Sequence, residues 1–551
     1  MKFQKLYFTY AWSADSVFAA ITAPIVVLAM VTSLAACGTR SGSNETQNEL
    51  SGDPAGTITF LIDAAPANLD PRLATDAQSQ HLDGLLFSSL VALDDRMQVI
   101  PDLAERWETP DPLTYIFHLR RGVRFHDGRA LTSADVKFTF DSILGRVPGE
   151  SIVSPKAGAF AMVGSVTAPD DATILFKLRE PSASFVWSMA RPAIGIVPAG
   201  AGADFADHPV GTGPFRFVRA RADEEIVLAR NTAYFSGNGP GNAEEIHFRI
   251  VPDATSRALE LQKGSADLLL NSLTPDMVAA LKKDPRLEIT EEPGTSVAYL
   301  AINCSDLILQ HRQVRQALAY ATDRETLIRY LLRGQARPAD GLLPTENWAH
   351  DTGIKTYAYD PARAEQLLDA AGFPRMPISA KGGASGKDGM RFTLTLKTST
   401  EESARLIGAA LQDQWRRVGI ALDLRPLEFA TFYADITRGA FGLAYLRWVG
   451  ANNDPDIYDY VFNSRHIPPN GANRGRYVNP EMDKLLDAER VEMDPPKRVQ
   501  LLSQIQRAIA EDEPYVMLWF PDNIAVNRRR IGNVDISPTG DYDFLTAITV
   551  R

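Results

Sequence analysis

Amides and carboxylates crowd a single tryptophan in the stretch Leu446-Arg447-Trp448-Val449-Gly450-Ala451-Asn452-Asn453-Asp454-Pro455-Asp456. Such groups suit a loop that faces a small solute: the ring covers apolar surface while the polar atoms fix orientation. The same residue types also build ordinary strand-to-helix turns, in which Asn and Asp cap backbone groups. On its own the loop leaves both readings open. Groups for covalent or metal chemistry are scarcer. His81, His118, His126, His208, His247, His311, His350 and His466 contain no i, i+4 pair of the kind that ligates a metal. Cys304 ends Leu300-Ala301-Ile302-Asn303-Cys304, an apolar strand in which a small core thiol is expected rather than a nucleophile. No Gly-x-Ser-x-Gly elbow occurs, and nothing brings Asp63 together with Glu291-Glu292 as the paired acids of a hydrolase. No enzyme, no metal site and no cofactor are expected from these residues.

The loop must be held by the elements around it. Residues 441–446 form an apolar run that reads as a short buried strand feeding into it. Upstream, residues 57–62 open the fold as a strand, and Asn68-Leu69-Asp70-Pro71 turns the chain. Residues 80–90 place Leu82, Leu85, Leu86 and Leu90 at helical spacing. Tyr115, Phe117 and Leu119 alternate with Thr114, Ile116 and His118, a strand with one wetter face. Thr132-Ser133-Ala134-Asp135 reads as a capping box for a helix whose buried side is Val136, Phe140 and Ile143. A strand over 173–178 and a helix over 185–190 follow. Asp360-Pro361 and Asn479-Pro480 are helix starts, with Pro at the first helical position and Gly372 as a stop for the former. Alternating strands and helices in both halves define an α/β organisation. Lys381-Gly382-Gly383-Ala384-Ser385-Gly386-Lys387-Asp388-Gly389 is a surface loop and not a phosphate cradle, since Lys381 and Asp388 stand where Gly and Ser or Thr belong.

At 551 residues the chain needs two or three domains. Its formal charge of −11 argues against nucleic acid as a partner. Two cysteines exclude a disulfide framework and a Cys cluster for zinc. Lys2 and Lys5 precede a nearly uncharged stretch, residues 17–36, that ends in Leu34-Ala35-Ala36-Cys37. An uncleaved membrane helix is the competing reading, but Pro24 and the small residues before Cys37 favour a cleaved signal. The tetrapeptide resembles the lipobox of bacterial lipoproteins. That resemblance implies a signal peptide over 1–36, lipidation at Cys37 and a flexible tether over 37–56, with the body held outside the cytoplasm on the membrane surface.

A longer resemblance covers residue 57 to the end. Leu103-Ala104-Glu105-Arg106-Trp107-Glu108, Tyr115-Ile116-Phe117-His118-Leu119-Arg120-Arg121-Gly122-Val123-Arg124-Phe125-His126-Asp127-Gly128 and Leu131-Thr132-Ser133-Ala134-Asp135-Val136 are similar to the signature of the family 5 extracellular solute-binding proteins. Val210-Gly211-Thr212-Gly213-Pro214-Phe215, Gly264-Ser265-Ala266-Asp267, Val314-Arg315-Gln316-Ala317-Leu318-Ala319-Tyr320-Ala321 and Gly471-Ala472-Asn473 keep the family's order downstream. The resemblance implies a two-lobed periplasmic-binding-protein fold of the large class, with an extra subdomain, ligand in the interlobe cleft and closure by a hinge. Lobe I is then 57–297 plus 521–551, with an insert at about 89–209, and lobe II is 298–520. The implied function is the receptor of an ABC importer, capturing a peptide-like solute for a permease and ATPase as a monomer. The alternatives are the same fold with a non-peptide solute such as an oligosaccharide or a metal chelate, a sensor, and, most remotely, a secreted hydrolase.

The resemblance also implies the pocket: Arg447, Trp448, Val449, Asn452, Asn453 and Asp454 in the loop, with Thr75, Asp76, Asn271, Tyr299, Trp519 and Phe520 around it. In the family's peptide receptors an acid three residues beyond the tryptophan pairs with the peptide ammonium. This chain has Ala451 there. Either another carboxylate, Asp454 or Asp76, takes that role, or the amine is solvated, or the ligand has no free amine.

Overall fold

The computed structural model describes residues 56–94, 97–190, 194–237, 240–376, 389–449 and 454–551. The signal and tether, Cys37 and Ala451, Asn452 and Asn453 lie outside the described residues, as does the surface loop from Lys381 to Asp388. Two large sheets organise the rest. The first has seven strands in the order Leu287–Glu292, Asn523–Arg528, Leu268–Leu270, Thr57–Ile62, Glu245–Ile250, Glu225–Arg230 and Phe215–Arg221. Thr57–Ile62 is buried along its whole length and runs parallel to both neighbours, which explains its continuous β-branched and apolar run.

The second sheet has six strands in the order Ala336–Pro338, Tyr515–Pro521, Val297–Ile302, Leu443–Trp448, Phe392–Ser399 and Ile420–Leu427. Its centre, Val297–Ile302, is also fully buried and antiparallel to both partners. Phe392–Ser399 and Ile420–Leu427 pair in parallel through the helix Glu402–Arg417, a strand–helix–strand crossover. The chain passes from the first sheet to the second between Glu292 and Val297 and returns between Pro521 and Asn523. A third, four-stranded antiparallel sheet, Ala104–Asp111, Thr114–Leu119, Thr173–Leu178 and Val163–Asp170, carries the helix Ser133–Ile143 and its own aromatic core. The two-lobed α/β architecture is as the sequence implies.

Local signals hold where the chemistry is local. Asp135 accepts from the Thr132 amide, Asp360 caps Pro361–Ala370 through the Arg363 amide, and Asn479 caps Pro480–Val491. Three expectations shift. The helix expected over 80–90 is Ala77–Leu86, because Asp76 caps it three residues earlier and Leu90 is buried beyond its end. The helix expected over 185–190 is only a 3₁₀ turn, Trp187–Met189. The strand expected over 441–446 is Leu443–Trp448, since Trp448 pairs with Val297 and draws Arg447 and Trp448 into the sheet.

Candidate ligand-binding site

Trp448 stands at the end of its strand, where the expected loop begins. Tyr299, on the neighbouring strand, lays its ring nearly parallel to Trp448 at 6.3 Å and to Tyr515 at 4.5 Å. Tyr460 meets the indole edge-on at 6.5 Å. On this wall sits Arg474, from the turn ahead of the helix Pro480–Val491. Its guanidinium lies 4.8 Å from the Trp448 ring and 5.2 Å from that of Tyr433 on the helix Phe429–Thr437, and Nη2 donates to Tyr433 Oη at 2.8 Å. Stacking of this kind is favourable for a weakly hydrated guanidinium. Trp448 Nε1, Tyr299 Oη and Tyr515 Oη are buried without a hydrogen bond of ordinary geometry. Burial pushes both phenols well above their usual range, with Arg474 opposing in each case, so they remain neutral hydroxyls that can donate.

A second arginine governs the other end of the loop. Arg498, on the helix Pro495–Asp512, lies 5.7 Å from the Trp187 ring and 5.6 Å from that of Trp348. Its Nη2 donates to Asp454 Oδ1 at 3.0 Å and its Nε to Glu489 Oε1 at 2.7 Å. Asp456 joins them: its amide donates to Asp454 Oδ1 at 2.8 Å, and its Oδ2 accepts from Ser184 Oγ at 3.0 Å. Asp454 Oδ2, Asp456 Oδ1 and Glu489 Oε2 are buried without partners. Burial, reinforced by Asp454, raises the Asp456 carboxyl to about 6. Burial also raises Glu489 to about 7, against the pull of Arg498 and with the help of Asp456. Ser184 and Trp187 follow the four-stranded sheet, whereas the three acids, Arg498 and Trp348 belong to the chain that builds the second sheet. The Ala183 amide to the Arg490 carbonyl (2.9 Å) and Arg490 Nη1 to Glu180 Oε1 (2.9 Å) cross the same boundary.

The remaining residues singled out from sequence scatter. Arg447 and Val449 are exposed, the latter by 55%. Thr75 is exposed, and its carbonyl accepts from Gln80 Nε2. Asp76 is committed to capping, accepting from the Ser79 amide at 2.9 Å. Asn271, with φ +52°, spends its side chain on the returning crossing: Nδ2 donates to Asn523 Oδ1 and Oδ1 accepts from the Ile524 amide. Trp519 and Phe520 are 2% exposed and pack on opposite faces of the second sheet, and Tyr299, at 0%, is as deeply buried. Alternation along the strand sends Trp519 into the cluster away from Tyr299. Cys304 is partly exposed rather than fully buried, though burial still raises its thiol to about 11, away from nucleophilic use. Arg474, Tyr433, Tyr515, Arg498 and Glu489 escaped the sequence reading. None carries a local signal, and each gains its place only through tertiary contact. Among the described residues no group of three or more His, Cys, Asp or Glu is arranged to hold a metal ion.

Two lobes joined by two close crossings, with an aromatic and charged wall beside them, define a solute-binding receptor. Residues 98–467 match the bacterial extracellular solute-binding proteins, family 5, and the chain belongs to that family. It is similar to Heme-binding protein A of Haemophilus influenzae, at 28% identity over 96% of this chain and 99% of that one. The Dipeptide-binding protein of Escherichia coli is 27% identical, over 89% of this chain and 94% of the relative. Among solved structures, NikA from Brucella suis in complex with Fe(III)-EDTA superposes with a TM-score of 0.79 at 25% identity, over 91% of this chain and all of that one.

Proposed function

We propose that this chain is the receptor subunit of an ABC importer that captures a peptide-like solute and hands it to a membrane permease and its ATPase. The observation that carries the reading is the Trp448 wall at the edge of the second sheet, on a strand that pairs directly with the first strand after the crossing. Residues 57–297 with 521–551 form one jaw and 298–520 the other, and Arg447, Val449, Asn452, Asn453 and Asp454 are assigned to solute contact. Closure around bound solute is the state a permease recognises, so affinity sets the fraction of receptor competent to dock. Cys37 carries the lipid that keeps the receptor at the membrane.

Native mass spectrometry of protein expressed without residues 1–37 tests the ligand class. A co-purifying series of peptide masses is expected; sugar or metal-chelate masses in their place would refute the peptide assignment. Haem is the second reading, favoured by the relative named for it, which matches nearly the full length of both chains. A haem adduct in the same spectrum, with the corresponding visible absorbance, selects it over peptide. Metabolic labelling with a radioactive fatty acid, lost in Cys37→Ala, tests the anchor.

A further inference from the structure

We propose that Arg474 is the specificity-determining residue for an anionic group of the solute, reading a carboxylate against the Trp448–Tyr299–Tyr515 wall. The proposal deepens the receptor reading and rests on it. Several buried arginines elsewhere in the molecule spend their donors inside the fold. Arg72 donates to Asp70, Glu150, Ser142 Oγ and the carbonyls of Ala201 and Gly202. Arg257, Arg315 and Arg324 each fan their guanidinium over several backbone carbonyls. Of the five hydrogen bonds that a guanidinium can donate, half-buried Arg474 makes one of ordinary geometry, to Tyr433 Oη, beside a weaker contact with the Tyr299 hydroxyl, and among the described residues it forms no ion pair.

Its surroundings deepen the imbalance. Trp448 Nε1 is a pure donor and has no partner, while the neutral, buried Tyr299 and Tyr515 hydroxyls interact with each other and with Arg474. The acids of this lobe pair elsewhere, each through at least one oxygen: Asp454 and Glu489 with Arg498, Asp456 with Ser184, Asp459 with Arg465 and His466, and Asp512 with Tyr477. A cation with spare donors beside an unpartnered indole N–H gains free energy when a charged acceptor arrives. An ionised carboxylate is acceptor-only and matches the guanidinium fork with two parallel bonds. The Trp448 and Tyr433 rings, 4.8 and 5.2 Å from the Arg474 guanidinium, restrain it before such a group arrives. The position that carries an acid for the solute's ammonium in related receptors is Ala451 in this sequence.

The test uses matched probes: trialanine and trialanine carboxamide by calorimetry, and glutarate by thermal shift against equal ionic strength of chloride. Trialanine is expected to bind wild type about 10- to 100-fold more tightly than its amide, the range set by losing one charge-assisted contact. Arg474→Gln is expected to erase that preference, so that acid and amide bind with equal affinity. Tyr299→Phe, which removes one donor and keeps the ring, is expected to reduce it by a smaller factor. Equal binding of acid and amide by wild type, or a preference that survives in Arg474→Gln, overturns the proposal. If neither peptide binds wild type, the peptide reading fails and glutarate decides this one. A shift in melting temperature seen in wild type and absent from Arg474→Gln upholds carboxylate recognition. No shift in wild type, or an equal shift in both, overturns it.

Discussion

Arg474 and Arg498 are both backed by indole rings, yet their electrostatic situations are opposite. Arg498 lies against two tryptophans from different parts of the fold and faces three acids, so its neighbourhood holds more negative charge than it can neutralise. Arg474 lies against one tryptophan and one tyrosine, meets neutral hydroxyls and an indole N–H, and among the described residues has no ion-paired carboxylate. An arginine whose charge is used inside the fold fixes structure, and removing it strands buried partners. An arginine whose charge is unused leaves little behind when removed, and its energy is realised only when something binds. The contrast separates a joint from a reader within the same lobe.

The largest expected effect tests the joint. Arg498→Ala leaves Asp454, Asp456 and Glu489 facing one another and should cost about 3–5 kcal/mol, read as a fall in the urea midpoint. A loss equal to that of Arg474→Gln would erase the distinction. Next comes pH. Glu489 and Asp456 hold protons in the folded chain up to about 7 and about 6, whereas unfolded carboxyls release them near pH 4. Their contribution therefore favours the folded form fully below about pH 4 and is lost as pH rises through the folded values. The melting temperature of wild type relative to Glu489→Gln should fall by a few degrees between pH 4 and 7.5 and stay level above; a difference that does not vary with pH would contradict the raised carboxyls. Ser184→Ala removes one hydrogen bond across the boundary and should cost about 1 kcal/mol by the same denaturation measurement. Smallest of all, Arg474→Gln should stay within about 0.5 kcal/mol of wild type in stability.

What could be read from the sequence follows the range of the forces involved. Helix starts at Asp360, Asn479 and Thr132 were legible because a cap and its amide are two or three residues apart. Strand Thr114–Leu119 was legible because alternation alone buries Tyr115, Phe117 and Leu119. Trp448 was found, but its place within the strand was not, because the register comes from Val297, 151 positions away in the chain. Trp519 and Phe520 are buried side chains, since aromatic rings fill cores as readily as pockets. Arg474 and Arg498 had no signal, since one sits in an ordinary Gly-flanked turn and the other on an amphipathic helix. Their meaning depends on which acids the fold brings near, and on which it does not.

The two crossings carry a mechanical consequence. The return from Pro521 to Asn523 is bridged by Asp522 alone, and the outward path between Glu292 and Val297 is a few residues long and tied through the Thr295 amide to the Pro538 carbonyl. Asn271 clamps the far side of the return at Asn523 and Ile524. At roughly 3.5 Å of reach per residue, linkers this short cannot lengthen or slide. Relative travel of the lobes is thereby reduced to rotation about a nearly fixed axis. A bulkier solute must be met by a wider angle rather than by a gap, so the mouth of the cleft adapts to size while the portion beside the axis keeps constant dimensions.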